Sequence, residues 1–191
     1  MRGYTLPELL VTVMLATTIM AIAVPAVNGS VDAWRTRGAA FFMASRFALT
    51  RVQAVHRHAN VGLRFTDEGN GFSMRPYADG NDNGVRSAEM ASGVDRPIRD
   101  ADRLDHLFPG TRFGFIDDAT LIDGSPAGPE SDPIRFGNSD MVTFSPAGTA
   151  TSGTVYLRGR GQVQYAVVVL GATGRTRIAR FDPVTRLWTE R

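Results

Sequence analysis

The feature that most limits what this chain can become is a stretch without charge. From Leu9 to Val27 the sequence reads LLVTVMLATTIMAIAVPAV, 19 residues with no Asp, Glu, Lys or Arg. As a helix that run spans about 28 Å, close to the hydrocarbon thickness of a bilayer. Thr12, Thr17 and Thr18 do not spoil it, because a helical threonine can return its hydroxyl to the preceding turn. Pro25 removes one helical hydrogen bond near the far end. Only Arg2 precedes the run, and Glu8 stands at its mouth. A cleaved secretory signal has a basic start, a shorter apolar stretch and a small-x-small site, so Glu8 is out of place in one. A plain single-pass anchor leaves both Gly3 and Glu8 without a purpose. A carboxylate at the edge of a membrane helix is costly unless something partners it.

Beyond the run the helical pattern continues. Val31, Trp34, Ala39, Phe42, Met43, Phe47, Leu49, Val52 and Val55 recur mostly at spacings of three and four, with Arg35, Arg37, Arg46, Arg51 and Arg57 mainly between them. Asn28-Gly29-Ser30 and Gly38 are weak points, yet one helix from about residue 4 to residue 57, roughly 80 Å long, is the expectation. Its second half should pack into a head, with the apolar stripe as core. After Asn60 the period shifts to two. Val61–Phe65 and Phe72–Arg75 alternate around a turn at Asp67–Gly71, which predicts a hairpin. Residues 76–140 are rich in Gly, Pro, Asp and Asn and read as a variable loop region, with a strand near Arg112–Phe115. Met141–Phe144, Thr154–Leu157, Val163–Leu170 and Arg175–Phe181 then read as strands joined by tight turns. The predicted class is α+β: a long N-terminal helix, half transmembrane and half stalk, packed on an antiparallel sheet.

Composition removes much chemistry. The 191 residues contain no Cys and only three His, and every one of the 21 basic residues is Arg. Disulfides, thiolate metal sites, Cys nucleophiles, Schiff-base lysines and a Walker-type lysine are excluded. His56 and His58 sit two apart and do not share a helix face. His106 has Asp102 and Asp105 near it but no nucleophile. No catalytic constellation stands out, and the chain is read as a non-enzyme; a membrane-anchored periplasmic enzyme is the alternative from another class.

The start MRGYTLPELLVTVMLATTIMAIAVP resembles the signal of type IV pilins and type II secretion pseudopilins. The matching features are a very short basic leader ending in Gly3, an aromatic Tyr4, then Thr5-Leu6, then Glu8 and the apolar run. Tyr4 stands where Phe is commoner, and Pro7 where an aliphatic is usual. The resemblance implies that a prepilin peptidase removes residues 1–3 by cutting between Gly3 and Tyr4, and that the new amine of Tyr4 is methylated. It implies that residues 4–27 form the transmembrane and filament-core helix, that residues 28–57 form an amphipathic stalk, and that residues 58–191 form a periplasmic head. Glu8 and Pro25 would be the assembly residues, Glu8 meeting the amine of a neighbouring subunit inside an apolar bundle, where the pair is weakly screened. The charge count around the run does not orient it, because Arg35 and Arg37 follow it whereas Arg2 alone precedes it. The resemblance places the N-terminus in the cytoplasm and the head in the periplasm, first in the bacterial inner membrane and then in a pseudopilus or pilus. With no Cys for the disulfide of many major pilins, most of the chain resembles the GspH/FimT group of minor pilins and pseudopilins. Its partners would be the peptidase, inner-membrane lipid and other pilins or pseudopilins.

Two features of the head suggest ligands. Asp79-Gly-Asn-Asp-Asn-Gly84 matches the first half of a calcium loop, with Asp79, Asn81 and Asn83 as oxygen ligands. Position twelve is Met90, where a bidentate Glu is needed, and the competing reading is a polar loop whose side chains bond their own backbone. No cofactor is required otherwise. The second feature is charge. From Arg158 to Arg191 seven Arg face two acids, a net +5, whereas Asp117–Asp140 has six acids against Arg135, a net −5. In some FimT-like minor pilins a Gly-Arg-x-Arg stretch is implicated in binding DNA, and Gly174, Arg175 and Arg177 match it, with Arg180 beyond. Arg forks bind phosphate bidentately. The alternative is that these arginines pair with the acidic segment.

Overall fold

The computed structural model describes residues 5–190, apart from the side chains of residues 24–26. One helix, α1 (Leu6–Arg57), runs unbroken for 52 residues. Its N-terminus is set by Thr5 in extended conformation and by Pro7 in the first turn, where no helical N–H is lost. Gly29 and Gly38 do not interrupt it. Gly38 admits the Phe108 ring, which an added Cβ would meet at 3.2 Å. The helix stops at His58, whose left-handed φ of 54° lets its N–H return to the Val55 carbonyl.

The remaining strands form two antiparallel sheets rather than one. The first joins β1 (Val61–Asp67), β2 (Phe72–Ala78), β3 (Arg96–Pro97), β4 (Asp102–Arg103) and β7 (Met141–Phe144) in the order β3-β2-β1-β7, with β4 also on β2. The second joins β5 (Arg112–Phe113), β6 (Ile134–Arg135), β8 (Gly153–Arg158), β9 (Gln164–Leu170), β10 (Arg175–Asp182) and β11 (Leu187–Glu190) in the order β11-β10-β9-β8-β5, with β6 on β8. The predicted hairpin is β1–β2, in register from Val61↔Ala78 to Asp67↔Phe72. β11 was not foreseen. It follows a turn in which the Asp182 side chain accepts the Val184 N–H at 3.0 Å and the Thr185 hydroxyl at 2.9 Å. Residues 76–140 are less irregular than expected, holding α2 (Ser87–Ser92), α3 (Leu104–Leu107) and four two-residue strands.

The helix lies against both sheets. Thr36, Ala39, Ala40, Met43, Phe47, Thr50 and Ala54 form its buried stripe, at the three- and four-residue spacings of one helix face. Phe47 is fully enclosed, edge-on to Phe136 at 5.8 Å and to Phe65 at 6.4 Å. A second, smaller core lies on the other face of the second sheet. There Phe115, Ile116, Ala119, Leu121 and Ala127 of the long loop close over Tyr156, Ala166 and Phe181. That is why β9 is buried on both faces and reads as a continuous apolar run.

Candidate functional site

The front of α1 is an apolar rod on which none of the described residues packs. Every residue from Thr5 to Ala23 is exposed, including Leu6, Leu9, Leu10, Met14, Ile19 and Ile22. It is long and apolar enough to cross a membrane. Thr12, Thr17 and Thr18 donate their hydroxyls to carbonyls three or four residues back, at 2.8–2.9 Å, which leaves the rod without a free hydroxyl donor at these positions. Gly3 and Tyr4 lie outside the described residues. Pro25 lies within the helix. The Glu8 carboxylate accepts the Thr5 backbone N–H at 3.4 Å. Thr5-x-x-Glu8 is a capping box, a signal present in the sequence and missed there.

The stalk half corrects one expectation. The apolar stripe was read as core, but only Ala39, Met43 and Phe47 are enclosed, with Phe42 half-buried. Val31, Trp34, Leu49, Val52 and Val55 are exposed, as is Phe41. Trp34 is 70% exposed and the Arg37 guanidinium stands 5.7 Å from its ring centre. The helix is apolar on two faces: one sits on the sheets and the other faces outward.

The 79–95 loop is organised around two buried carboxylates. Asp79 accepts the Gly84 N–H at 2.7 Å, the Asn81 N–H at 3.1 Å and the Asn60 amide at 3.0 Å. Asp95 accepts the N–H groups of Gly80 and Arg86 at 3.1 and 2.8 Å. Burial alone would raise the Asp79 carboxyl, but the bonds from Asn60, Asn81, Gly84 and Asp82 outweigh it and hold it below its ordinary value. Asn83 turns to Glu89 at 2.8 Å. Most of these contacts run from backbone N–H to side-chain carboxylate, the pattern of a polar turn loop. Among the described residues no group of three or more His, Asp or Glu is placed to share a metal ion.

At β10 the proposed nucleic-acid residues separate. Gly174 is buried with φ +59°, and an added Cβ would stand 2.4 Å from the Gly148 carbonyl oxygen and 3.2 Å from Arg51 Nε, so its glycine is demanded by packing between two turns. Arg175 and Arg177 are exposed on one face of the strand, whereas the unbroken β9–β10 register puts Arg180 on the opposite face. Arg177 is ion-paired with Glu190 of β11. Trp188 and Tyr165 are structural. Tyr165 is in the main core, and Trp188 packs on Phe181 and Tyr156 while donating its indole N–H to the Thr120 and Leu121 carbonyls at 3.0 and 3.2 Å.

This arrangement is a bare apolar rod and a head built on the same helix. A sequence model of the family described as "Type II transport protein GspH" matches residues 40–174, from the buried helix stripe to the turn before Arg175. No curated protein and no solved structure matches the chain.

Proposed function

The chain belongs to the GspH family of type II transport proteins, and on that premise we infer that it is a minor pseudopilin, a structural subunit that assembles with other pseudopilins into a type II secretion pseudopilus. The observation that carries this reading is the two-part use of a single helix. Its second half packs into the core of the head, while residues 5–23 are exposed and unpacked among the described residues. So much exposed apolar surface is stable only in lipid or among other helices. The rod therefore waits in the inner membrane, with the head in the periplasm, and leaves it by bundling with rods of other subunits. Prepilin peptidase removes residues 1–3 and the Tyr4 amine is methylated. Glu8 then sets the register of each subunit by meeting a neighbour's amine.

Processing tests the reading. Co-expressed with a prepilin peptidase, the full chain should lose residues 1–3 and gain one methyl group by intact mass. Gly3→Leu should block both changes. A Gly3→Leu chain that is still shortened and assembled would refute the pseudopilin role in favour of a merely anchored protein.

A second reading, DNA binding by the same kind of subunit, is favoured by the exposure of Arg175, which has no ion-pair partner among the described residues. Arg175→Ala with Arg177→Ala should then weaken DNA retention and reduce its salt slope by roughly two. Unchanged retention removes that reading and leaves the first intact.

A further inference from the structure

A cleft of about 420 Å³ opens in the head, lined by Asn70, Phe72, Arg112, Phe113, Arg158 and Arg160 among others. Arg112 and Arg158 are cross-strand partners in the β5–β8 pair, so two like charges stand directly opposite, an arrangement that disfavours the free protein. Burial lowers the Arg158 pKa and the Arg112 charge lowers it further, against a smaller opposing pull from the Asp117 charge. The Arg158 side chain donates to the Phe115 carbonyl at 2.8 Å, yet its Nε is buried without an acceptor. Glycines make room for these side chains. A Cβ on Gly110 would stand 2.6 Å from Arg160 Nε, and one on Gly114 would stand 3.4 Å from Arg158 Cδ.

Three acids near the cleft are already engaged. Asp105 takes a two-pronged bond from Arg103 at 3.1 and 2.9 Å, and Asp67 accepts the Gly69 N–H at 2.8 Å. Asp32 of the helix accepts the N–H groups of Arg160 and Gly161, both at 3.0 Å. Among the described residues Arg112, Arg158 and Arg160 have no ion-pair partner. Three arginines thus line one half-open cleft, and among the described residues Asp117 acts on Arg158 through its charge without forming an ion pair with it.

Position along the helix says where that anion comes from. The turn carrying Arg160 is fastened to Asp32, and Thr111 of the cleft wall meets Thr36 at 3.4 Å. Asp32 lies five residues past Val27, or about 8 Å along the helix, and Thr36 about 14 Å. The headgroup layer extends roughly 5–7 Å beyond the hydrocarbon on each side, so Asp32 stands at its outer edge and the cleft faces the headgroups from the aqueous side. The same level carries exposed Trp34 with Arg37 against its ring, the amphipathic pair found at membrane–water boundaries. We propose that the Arg112–Arg158–Arg160 cleft binds the phosphate of an anionic phospholipid headgroup while the subunit waits in the bilayer. Arg112 and Arg158 supply paired N–H donors to the phosphate oxygens, and Arg160 closes the open side. The bound phosphate relieves the opposed charges and seats the head against the membrane. Withdrawal of the rod into a filament then requires the headgroup to be released.

This proposal rests on the rod spanning the membrane, so the experiment separates the two. The full chain is reconstituted into nanodiscs of mixed phosphatidylcholine and phosphatidylglycerol, and retained lipid is quantified by mass spectrometry after detergent extraction. Wild type should be enriched in phosphatidylglycerol. Arg112→Gln with Arg160→Gln, both exposed positions, should reduce that enrichment by at least about fivefold, the worth of one arginine at an anionic surface. Arg57→Gln with Arg96→Gln removes the same charge at exposed positions, one of them at the far end of the helix, and should change it little. Equal enrichment in all three chains overturns the headgroup site. A wild-type chain in detergent that is stabilised as much by inorganic phosphate as by phosphatidylglycerol also overturns it, in favour of a free-phosphate site. Failure of the chain to float with phosphatidylcholine vesicles refutes the spanning rod instead.

Discussion

Glu8 and Thr5 close on each other at the head of the helix: the carboxylate accepts the Thr5 backbone N–H at 3.4 Å. In an isolated subunit the one acid of the apolar segment is thus used locally, as the return half of a capping box. The bond is long and the carboxylate exposed, so it can be exchanged for a stronger, charged partner. Substitution separates the two uses. Glu8→Gln keeps an oxygen acceptor for the cap and removes the charge, whereas Glu8→Ala removes both and costs about 1 kcal/mol at the helix start. Both variants should insert in the membrane, and both should enter filaments at least about tenfold less than wild type, equivalent to roughly 1.4 kcal/mol. Cross-linking of sheared filaments measures this. Full incorporation of Glu8→Gln would reduce Glu8 to a cap.

Asp79 makes an acid-side prediction. Its folded pKa lies below the ordinary value, so its contribution to stability is complete above the unfolded pKa, near pH 4, and fades as the pH falls through the folded value. Asp79→Asn should cost roughly 1–3 kcal/mol at neutral pH, because the donors around it lose a charged acceptor. It should also flatten the loss of stability below about pH 4. Denaturant midpoints across pH read both effects. Since this carboxylate is already spent on Gly84, Asn81 and Asn60, calcium followed by chelator should leave the wild-type midpoint unmoved. A calcium-dependent rise would revive the ion-binding loop.

The parts legible in the sequence are those where one period governs a whole element. The helix, the β1–β2 hairpin and the four long C-terminal strands follow from spacings of three to four or of two. What escaped was decided by partners distant in the chain. Alternation says which side chains share a face but not which strands share a sheet, so the split into two sheets was invisible. The second core hides in a loop where Phe115, Ile116, Ala119, Leu121 and Ala127 are spaced by Asp, Gly and Pro and show no period. The helix stripe misled for a related reason. Periodicity shows that Trp34, Val52 and Val55 repeat but not whether the head covers them. The arginine cleft combines residues 112, 158 and 160 from separate elements, and no local motif announces it.

The two apolar faces of α1 should respond oppositely to truncation. Phe47→Ala empties a fully buried site between Phe65 and Phe136 and should cost about 3–5 kcal/mol. Trp34→Ala and Val52→Ala change exposed positions and should shift the denaturation midpoint of the solubilised subunit by no more than about 0.5 kcal/mol. If the outward face meets neighbouring subunits, those two variants should still lower incorporation into filaments. Stability and incorporation that fall together for Trp34→Ala would place the residue in the fold instead.

Gly174 discriminates between a packing glycine and a glycine kept for a ligand. Its φ of +59° and the 2.4 Å approach of the Gly148 oxygen to an added Cβ mean that Gly174→Ala strains the backbone and pushes two turns apart. A cost of roughly 1–3 kcal/mol is expected. Arg51, which also lies against Gly174, should feel the same displacement. Arg51→Ala should therefore soften the Gly174→Ala penalty, giving a coupling of about 0.5 kcal/mol or more in a double-mutant cycle of unfolding free energies. Arg175→Ala, exposed one residue away, should leave stability within about 0.5 kcal/mol. If Gly174→Ala proves neutral while Arg175→Ala destabilises, the turn is not held by the contact between Gly174 and Gly148, and the packing account of this motif fails.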